Sequence, residues 1–301
     1  MTHSPLSPGG IPDQLILQKF YAMLDEDIGY GDITTSALIS KEKYAKARLF
    51  TREAGIAAGM EIASIILSDF NCSVSVIQQD GSHVKANTTL LEIRGFAAPL
   101  LSIERTLLNL LQRMCGIATA TANLVQKAKQ YNPHIRIAAT RKTAPLLRYF
   151  DKLAVVLGGG DSHRWRLDDA ILIKDNHLAF YGDITDAINS ARENASFTCP
   201  IEIEVSSPEA AITAANSKVD AILIDNMTPE HVSSIVKSIR QLKLTPTPIL
   251  EVSGNISPEN IGKYAKTGVD VISIGWLTHS VPALDLSIDI IPANRPKSLQ
   301  R

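Results

Sequence analysis

Between Thr140 and His177 the chain carries Arg141, Lys142, Arg148, Lys152, His163, Arg164, Arg166, Lys174 and His177, nine basic or imidazole side chains in thirty-eight positions. Over all 301 residues there are 30 Lys+Arg and 7 His, so this stretch is about twice as rich as the average. With a net charge of -1, the chain lacks the broad basic excess that a nucleic-acid partner requires; a local cluster points instead to a small, multiply charged anion. Arg148, Lys152 and Arg166, with Asp151, Asp161, Asp168 and Asp169 close by, read as solvated faces. Arg141-Lys142 and Lys174 differ. Each follows an apolar run, RIAAT or AILI, and so stands where a strand ends and a loop begins, the place where α/β folds hold ligands. Gly158 to Gly160 read as a flexible link that lets the chain carry His163 and Arg164 over the anion.

Later runs end in complementary groups. IEIEV (201–205) presents Glu204, AILIDN (221–226) presents Asp225, PILEVSG (248–254) leads into Ser253-Gly254-Asn255, and VISIGWL (271–277) contains Gly275. Two carboxylates facing cations suit ribose hydroxyls or a Mg²⁺-bound polyphosphate, since Mg²⁺ takes one or two protein carboxylates and completes its shell with phosphate and water. SGN followed by SPEN, with a helix start expected near 257–259, and GWLTHS offer main-chain N–H groups as a phosphate cup.

Such side chains have to be carried by a regular scaffold. RIAAT (136–140) and AILIKD (170–175) join the four runs above, spaced by about 20 to 30 residues, the length of a βα crossover. Val/Ile/Leu-rich strands alternating with helices predict a parallel sheet and an α/β barrel over 116–279. Upstream, IPDQLILQKFYAMLDED predicts a helix closing at Gly29, after a loose first dozen residues. Residues 45–95 have β-like periodicity, with the DGS at 80–82 as a hairpin-type break. Pro99 opens a long apolar-periodic stretch, with Ser102 as N-cap and Gly116 as a break between two helices. The expected organisation is a β-rich α+β domain, 1–115, completed by 280–301, beside the barrel.

Composition sets outer bounds. A 45% hydrophobic content supports a sizeable core. Cys72, Cys115 and Cys199 have no metal-ligand or paired spacing and read as reduced, mostly buried thiols. There is no apolar signal core and no run of membrane-spanning length, so the expectation is a cytoplasmic protein with no membrane partner.

EDIGYGDITT (26–35), ERTLLNLLQRMCGIAT (104–119), the 140–177 segment with TRKT, GGG..HR and LIKDNH, then IEIEV, AILIDNM, LEVSGNI and GVDVISIGWLTHSVPALDLSID closely resemble the quinolinate phosphoribosyltransferase family. The resemblance runs from about Leu15 to Ile290, with the motifs in family order. It implies the type II phosphoribosyltransferase fold. It also implies conversion of quinolinate and phosphoribosyl pyrophosphate into nicotinate mononucleotide, pyrophosphate and CO2, in NAD biosynthesis, with Mg²⁺ and no organic cofactor. By matching position, Arg141, His163, Arg164 and Lys174 would hold the quinolinate carboxylates, and Lys142 the pyrophosphate. Glu204 and Asp225 would hold the ribose or its magnesium; Ser253, Gly254, Asn255 and Gly275 the 5'-phosphate. Arg105 matches a family arginine that reaches the neighbouring subunit's site, which implies a homodimer and leaves higher assembly open. Leu146, Ser162 and Asn255 depart from the usual Gly, Asn and Gly. Two other readings share the barrel: an aldolase using Lys174 as a Schiff-base lysine, and a retasked paralogue of the type associated with molybdenum transport, which the intact LIKDNH disfavours.

Overall fold

The computed structural model describes residues 12–295; the expected loose N-terminus up to residue 11 and the segment 296–301 lie outside the described residues. The chain forms two compact units. The first comprises 1–120, 145–159 and 281–301, and the second 121–144 and 160–280.

In the first unit, α1 (Asp13–Ile28) buries Ile16, Phe20 and Leu24 at helical spacing and stops at Gly29, whose φ of 56° a side chain would resist. Next come α2 (Ile33–Leu38), β1 (Tyr44–Thr51), β2 (Gly55–Ile56), α3 (Met60–Asp69), β3 (Ser73–Val76), β4 (His83–Val84), β5 (Thr89–Phe96), α4 (Ala97–Lys129) and, beyond a segment of the other unit, α5 (Arg148–Leu157). The antiparallel sheet has the C-terminal strand Leu286–Ala293 at one edge, then β1, β5 and β3.

Four features depart from the sequence reading. Helix α3 lies inside the stretch expected to be β-like: Met60, Ile62, Ala63, Ile66 and Leu67 are all buried, so its run is too uniformly apolar for a helical period to show. Asp80 does not turn a hairpin; its carboxylate accepts from Met60 N at 2.8 Å and Glu61 N at 3.2 Å and caps α3. Helix α4 runs unbroken through Gly116, and Ser102 lies within it rather than capping it, its hydroxyl donating to Asp32 Oδ2 at 3.0 Å. A Cβ at Gly116 would sit 2.2 Å from Pro282 O, so the glycine permits a close chain approach instead of ending a helix. Finally, Lys152 is fully buried, as is Asp151, so this part of α5 is core and not a solvated face.

The second unit takes the end of α4 from Thr121 and adds β6 (Arg136–Ala138), β7 (Ile171–Ile173), α6 (Asp175–Leu178), α7 (Ile184–Asn194), β8 (Ile201–Val205), α8 (Pro208–Asn216), β9 (Ala221–Asp225), α9 (Pro229–Gln241), β10 (Ile249–Ser253), α10 (Ile261–Ala265), β11 (Val271–Ser273) and α11 (Trp276–His279). All six strands fall within the predicted runs. They pair in parallel in the order β6-β11-β10-β9-β8-β7. Successive strands from β7 to β11 are neighbours, and the first strand returns to pair with the last, which rolls the sheet into an α/β barrel with its seam between β6 and β7. Ser207 and Thr228 cap α8 and α9, whose first residues are Pro208 and Pro229, so each chain reversal at the strand ends is locally encoded. Helix α10 begins at Ile261, later than the 257–259 start expected, because Asn260 Oδ1 takes the Ser257 N–H at 2.8 Å and holds a turn there.

Candidate active site at the barrel strand ends

Arg141 follows β6 and Arg164 follows the loop after α5, where Asp161 forms a single bridge with Ala138 of β6. The two guanidinium groups act on each other: burial, and then the positive charge of Arg141, lowers the pKa of Arg164. Arg141 Nε is buried and has no hydrogen-bond partner among the described residues. Two like charges held together with an unsatisfied buried donor are a cost to the fold that a bound dianion removes. Arg164 itself is steadied by Nη1 donating to Ala170 O at 3.1 Å.

Lys174 ends β7, and its ammonium pairs with Glu204 at the end of β8. The groups expected to serve the acid and the ribose are thus in direct contact. Lys174 is engaged by a carboxylate, whereas a Schiff-base lysine is activated in an apolar pocket or beside another cation, which speaks against the aldolase reading. The main-chain N–H of Lys174 is received by His177 Nδ1 at 2.9 Å, so the DNH turn of α6 fixes where the strand ends.

On the neighbouring strands, Ser253 is in register with Asp225. Asn226, at the end of the AILIDN run, ties their loops together. Its N–H donates to Ser253 O at 3.0 Å, its Nδ2 to Asp225 Oδ2 at 2.6 Å, and its Oδ1 receives Asn255 Nδ2 at 3.4 Å. A Cβ at Gly254 would fall 2.1 Å from Asn226 Oδ1, so this glycine is required by close approach. Asn255 takes φ of 45°, the left-handed conformation that asparagine tolerates, and so stands in for glycine without breaking the turn. After β11, a Cβ at Gly275 would meet Lys142 Cδ at 2.9 Å: the lysine stem lies across the glycine, joining the expected pyrophosphate and phosphate groups. Thr278 Oγ1 donates to Lys142 O at 2.8 Å and anchors that loop.

His163 also has partners inside the barrel. Its Nε2 lies 3.4 Å from both Glu202 Oε2 and Glu251 Oε2, on β8 and β10, and its Nδ1 receives the Arg164 N–H at 2.7 Å. Burial alone would lower its pKa, but hydrogen bonds and charge from the two carboxylates outweigh that and push it up to about 10. A doubly protonated ring would conflict with the N–H aimed at Nδ1. The Arg164 N–H on Nδ1 favours the tautomer that carries its proton on Nε2, facing the carboxylates. Burial also raises the pKa of Glu202, with the charge of Glu251 adding to the rise. Glu202 and Glu251 were missed from sequence, although IEIEV carries the signal: Glu202 and Glu204 are two residues apart and share one face of the strand.

Glu204 and Asp225, hard oxygen donors on adjacent strands, fit a Mg²⁺ that keeps most of its shell for phosphate and water. Arg105 belongs to the first unit, on α4, and its side chain is exposed.

Comparison with known proteins accords with this site. Residues 32–115 match the model of the quinolinate phosphoribosyl transferase N-terminal domain, and residues 117–289 that of its C-terminal domain. A relative from Methanothermobacter thermautotrophicus, named "probable nicotinate-nucleotide pyrophosphorylase (carboxylating)", is 44% identical over 89% of this chain and 96% of its own length. The Homo sapiens nicotinate-nucleotide pyrophosphorylase (carboxylating) is 35% identical over 85% of each chain. The crystal structure of NadC from Streptococcus pyogenes superposes with a TM-score of 0.87 at 36% identity, covering 94% of this chain and 99% of that one. By these matches and its strand-end constellation, the chain belongs to the quinolinate phosphoribosyl transferase family.

Proposed function

We propose that this chain is a nicotinate-nucleotide pyrophosphorylase (carboxylating), a pentosyltransferase that converts quinolinate and phosphoribosyl pyrophosphate into nicotinate mononucleotide, pyrophosphate and CO2 for NAD biosynthesis. The observation that carries it is the Arg141–Arg164 pair with its unsatisfied buried donor, beside Lys174, at the end of a barrel that also offers two carboxylates and a glycine-lined turn.

Arg141, His163, Arg164 and Lys174 hold the two carboxylates of the acid. Ser253, Gly254, Asn255 and Gly275 take the 5'-phosphate. Lys142, lying across Gly275, meets the pyrophosphate. As pyrophosphate leaves C1 of the ribose, positive charge develops on C1 and the ring oxygen, and Glu204 and Asp225 stabilise it. Glu204 and Asp225 would also hold a Mg²⁺, which would supply charge neutralisation to the pyrophosphate. The pyridine nitrogen forms the new bond to C1. The alkylated ring then accepts the electron pair released when the adjacent C–CO2⁻ bond breaks, and the resulting carbanion takes a proton. No organic cofactor is needed. The protein's contribution is mainly positioning.

Arg105, exposed on α4, is assigned to the site of a second copy in a homodimer. Mixing Arg105→Ala with Glu204→Ala should restore activity through heterodimers carrying one intact site; no recovery would remove the crossing role. We assign the enzyme to the cytoplasm, a reading supported by Cys72 and Cys115 as buried free thiols; no helix of the described residues is long and apolar enough to cross a membrane.

The function is tested by supplying phosphoribosyl pyrophosphate, Mg²⁺ and quinolinate and following CO2 and nicotinate mononucleotide. Both should appear together, and EDTA should stop the reaction until Mg²⁺ is returned. Turnover of nicotinate but not quinolinate would overturn the assignment.

A further inference from the structure

We infer that Asn226 is a positioning residue for the phosphoribosyl group: its side-chain amide holds the Asp225 carboxylate and the Ser253-Gly254-Asn255 turn at a fixed separation, so that the ribose and its 5'-phosphate are met together. The inference rests on the reading of Asp225 as the carboxylate for the ribose or Mg²⁺ and of the turn as the phosphate cup.

The amide can point only one way. An ionised carboxylate accepts and does not donate, so the NH2 end of Asn226 faces Asp225 Oδ2, at 2.6 Å, and the carbonyl end is left to receive Asn255 Nδ2 at 3.4 Å. Both partners stand at strand ends that β9 and β10 bring side by side, with Asp225 in register with Ser253. The bond engages Oδ2 of Asp225 and leaves Oδ1 for a ribose hydroxyl or a cation.

The backbone is shaped to allow this. Asn226, Gly254 and Asn255 have φ of 54°, 97° and 45°, three left-handed residues in two facing loops. Such conformations persist where their surroundings over-determine them. Here the Asn226 N–H donates to Ser253 O at 3.0 Å, and a Cβ at Gly254 would lie 2.8 Å from Asn226 N, so the two main chains are in contact. Each loop is also tied to α10 or its N-cap. Asn260, the N-cap, donates from Nδ2 to Asn255 O at 2.9 Å, and Tyr264 within the helix donates from its hydroxyl to Met227 O at 3.1 Å.

Fold stability gives little reason for the arrangement. Asn226 and Asn255 are both exposed; a hydrogen bond between water-accessible groups adds little, and the left-handed backbone offsets part of it. The gain lies in geometry. Ribose hydroxyls and 5'-phosphate belong to one covalent body, and a carboxylate that rotates, or a turn that shifts, would meet one end and miss the other. A misplacement of about 1 Å in such a site can cost about a hundredfold in rate.

Asn226→Gly keeps the left-handed backbone and removes the amide, so it separates the side chain from the turn. Groups that orient a ligating carboxylate usually count for about 10-fold to 100-fold. Asn226→Gly should therefore raise the phosphoribosyl pyrophosphate KM at least about tenfold, with the quinolinate KM within about twofold. In an Asp225→Ala background the same change should lower kcat/KM for phosphoribosyl pyrophosphate by at most about threefold, because the carboxylate it aims is gone. An unchanged phosphoribosyl pyrophosphate KM, a matching rise in the quinolinate KM, or an equal loss in both backgrounds would overturn the inference. A second arm needs no substrate and stands whether or not quinolinate is turned over. Backbone hydrogen exchange at residues 254–256 of the full chain should be at least about tenfold faster in Asn226→Gly, while β9 and β10 exchange as in wild type. Unchanged exchange at 254–256 would mean that the turn holds without Asn226, and the inference would fall.

Discussion

Two arginines in this molecule sit against buried surroundings and are treated in opposite ways. In the first unit, Arg113 on α4 grips Asp151 of α5 with Nε at 2.6 Å and Nη2 at 2.8 Å, and the aspartate is completely buried. That two-point bond raises the arginine's pKa against the pull of burial. In the second unit, Arg141 has a buried Nε with no hydrogen-bond partner among the described residues and presses its charge on Arg164. A pair matched within the chain serves the fold. An unsatisfied guanidinium donor beside a like charge costs the fold and waits for an anion.

The comparison is broken most directly at Arg141. Arg141→Ala should lower the apparent affinity for quinolinate about a hundredfold, two charge-assisted hydrogen bonds being worth about 3 kcal/mol after the cost of water is counted. Its melting temperature should not fall, because removing the charge relieves Arg164. A melting temperature lowered as far as the activity would mean that Arg141 is structural.

Arg113→Ala should do the reverse. It removes the two-point partner of a fully buried carboxylate, and loss of one partner of a buried pair costs about 3 kcal/mol or more in denaturant unfolding. Replacing both partners, Arg113→Met with Asp151→Leu, should recover most of that loss. Failure to recover would show that Asp151 does more than accept from Arg113.

A smaller effect sharpens the contrast at the start of the first unit's middle segment. Leu146 has φ of 64° and is 79% exposed, a left-handed leucine with little packing to support it. Its carbonyl accepts from Lys19 Nζ at 3.3 Å. Leu146→Gly, which restores the usual family residue, should stabilise the protein by about 1 kcal/mol through relief of that strain, with unchanged kinetics; a change in quinolinate KM would give the strain a role in the site.

The sequence disclosed the barrel more fully than the first unit, for a physical reason. Barrel strands buried on both faces are runs of Val, Ile and Leu, and such runs end visibly at Lys174, Glu204, Asp225 and Ser253. Helix α3 is as apolar as a strand and hid among strands, and Gly116 reads as a break only until the Pro282 carbonyl beside it is seen. Within the site, residues that stand at strand ends were legible. Glu202 and Glu251 were not, because their roles depend on what lies across the barrel. For His163 the type was informative and the direction of its nitrogens was not.

The central claim is that Arg141 and Arg164 form a dicarboxylate site. Calorimetric titration of quinolinate and of nicotinate, which has one carboxylate fewer, into wild type and Arg141→Ala tests it most directly. The account predicts that wild type prefers quinolinate by at least about a hundredfold and that the preference collapses in Arg141→Ala without loss of melting temperature. Equal affinity of wild type for the two acids, or an unchanged preference in Arg141→Ala, would contradict it.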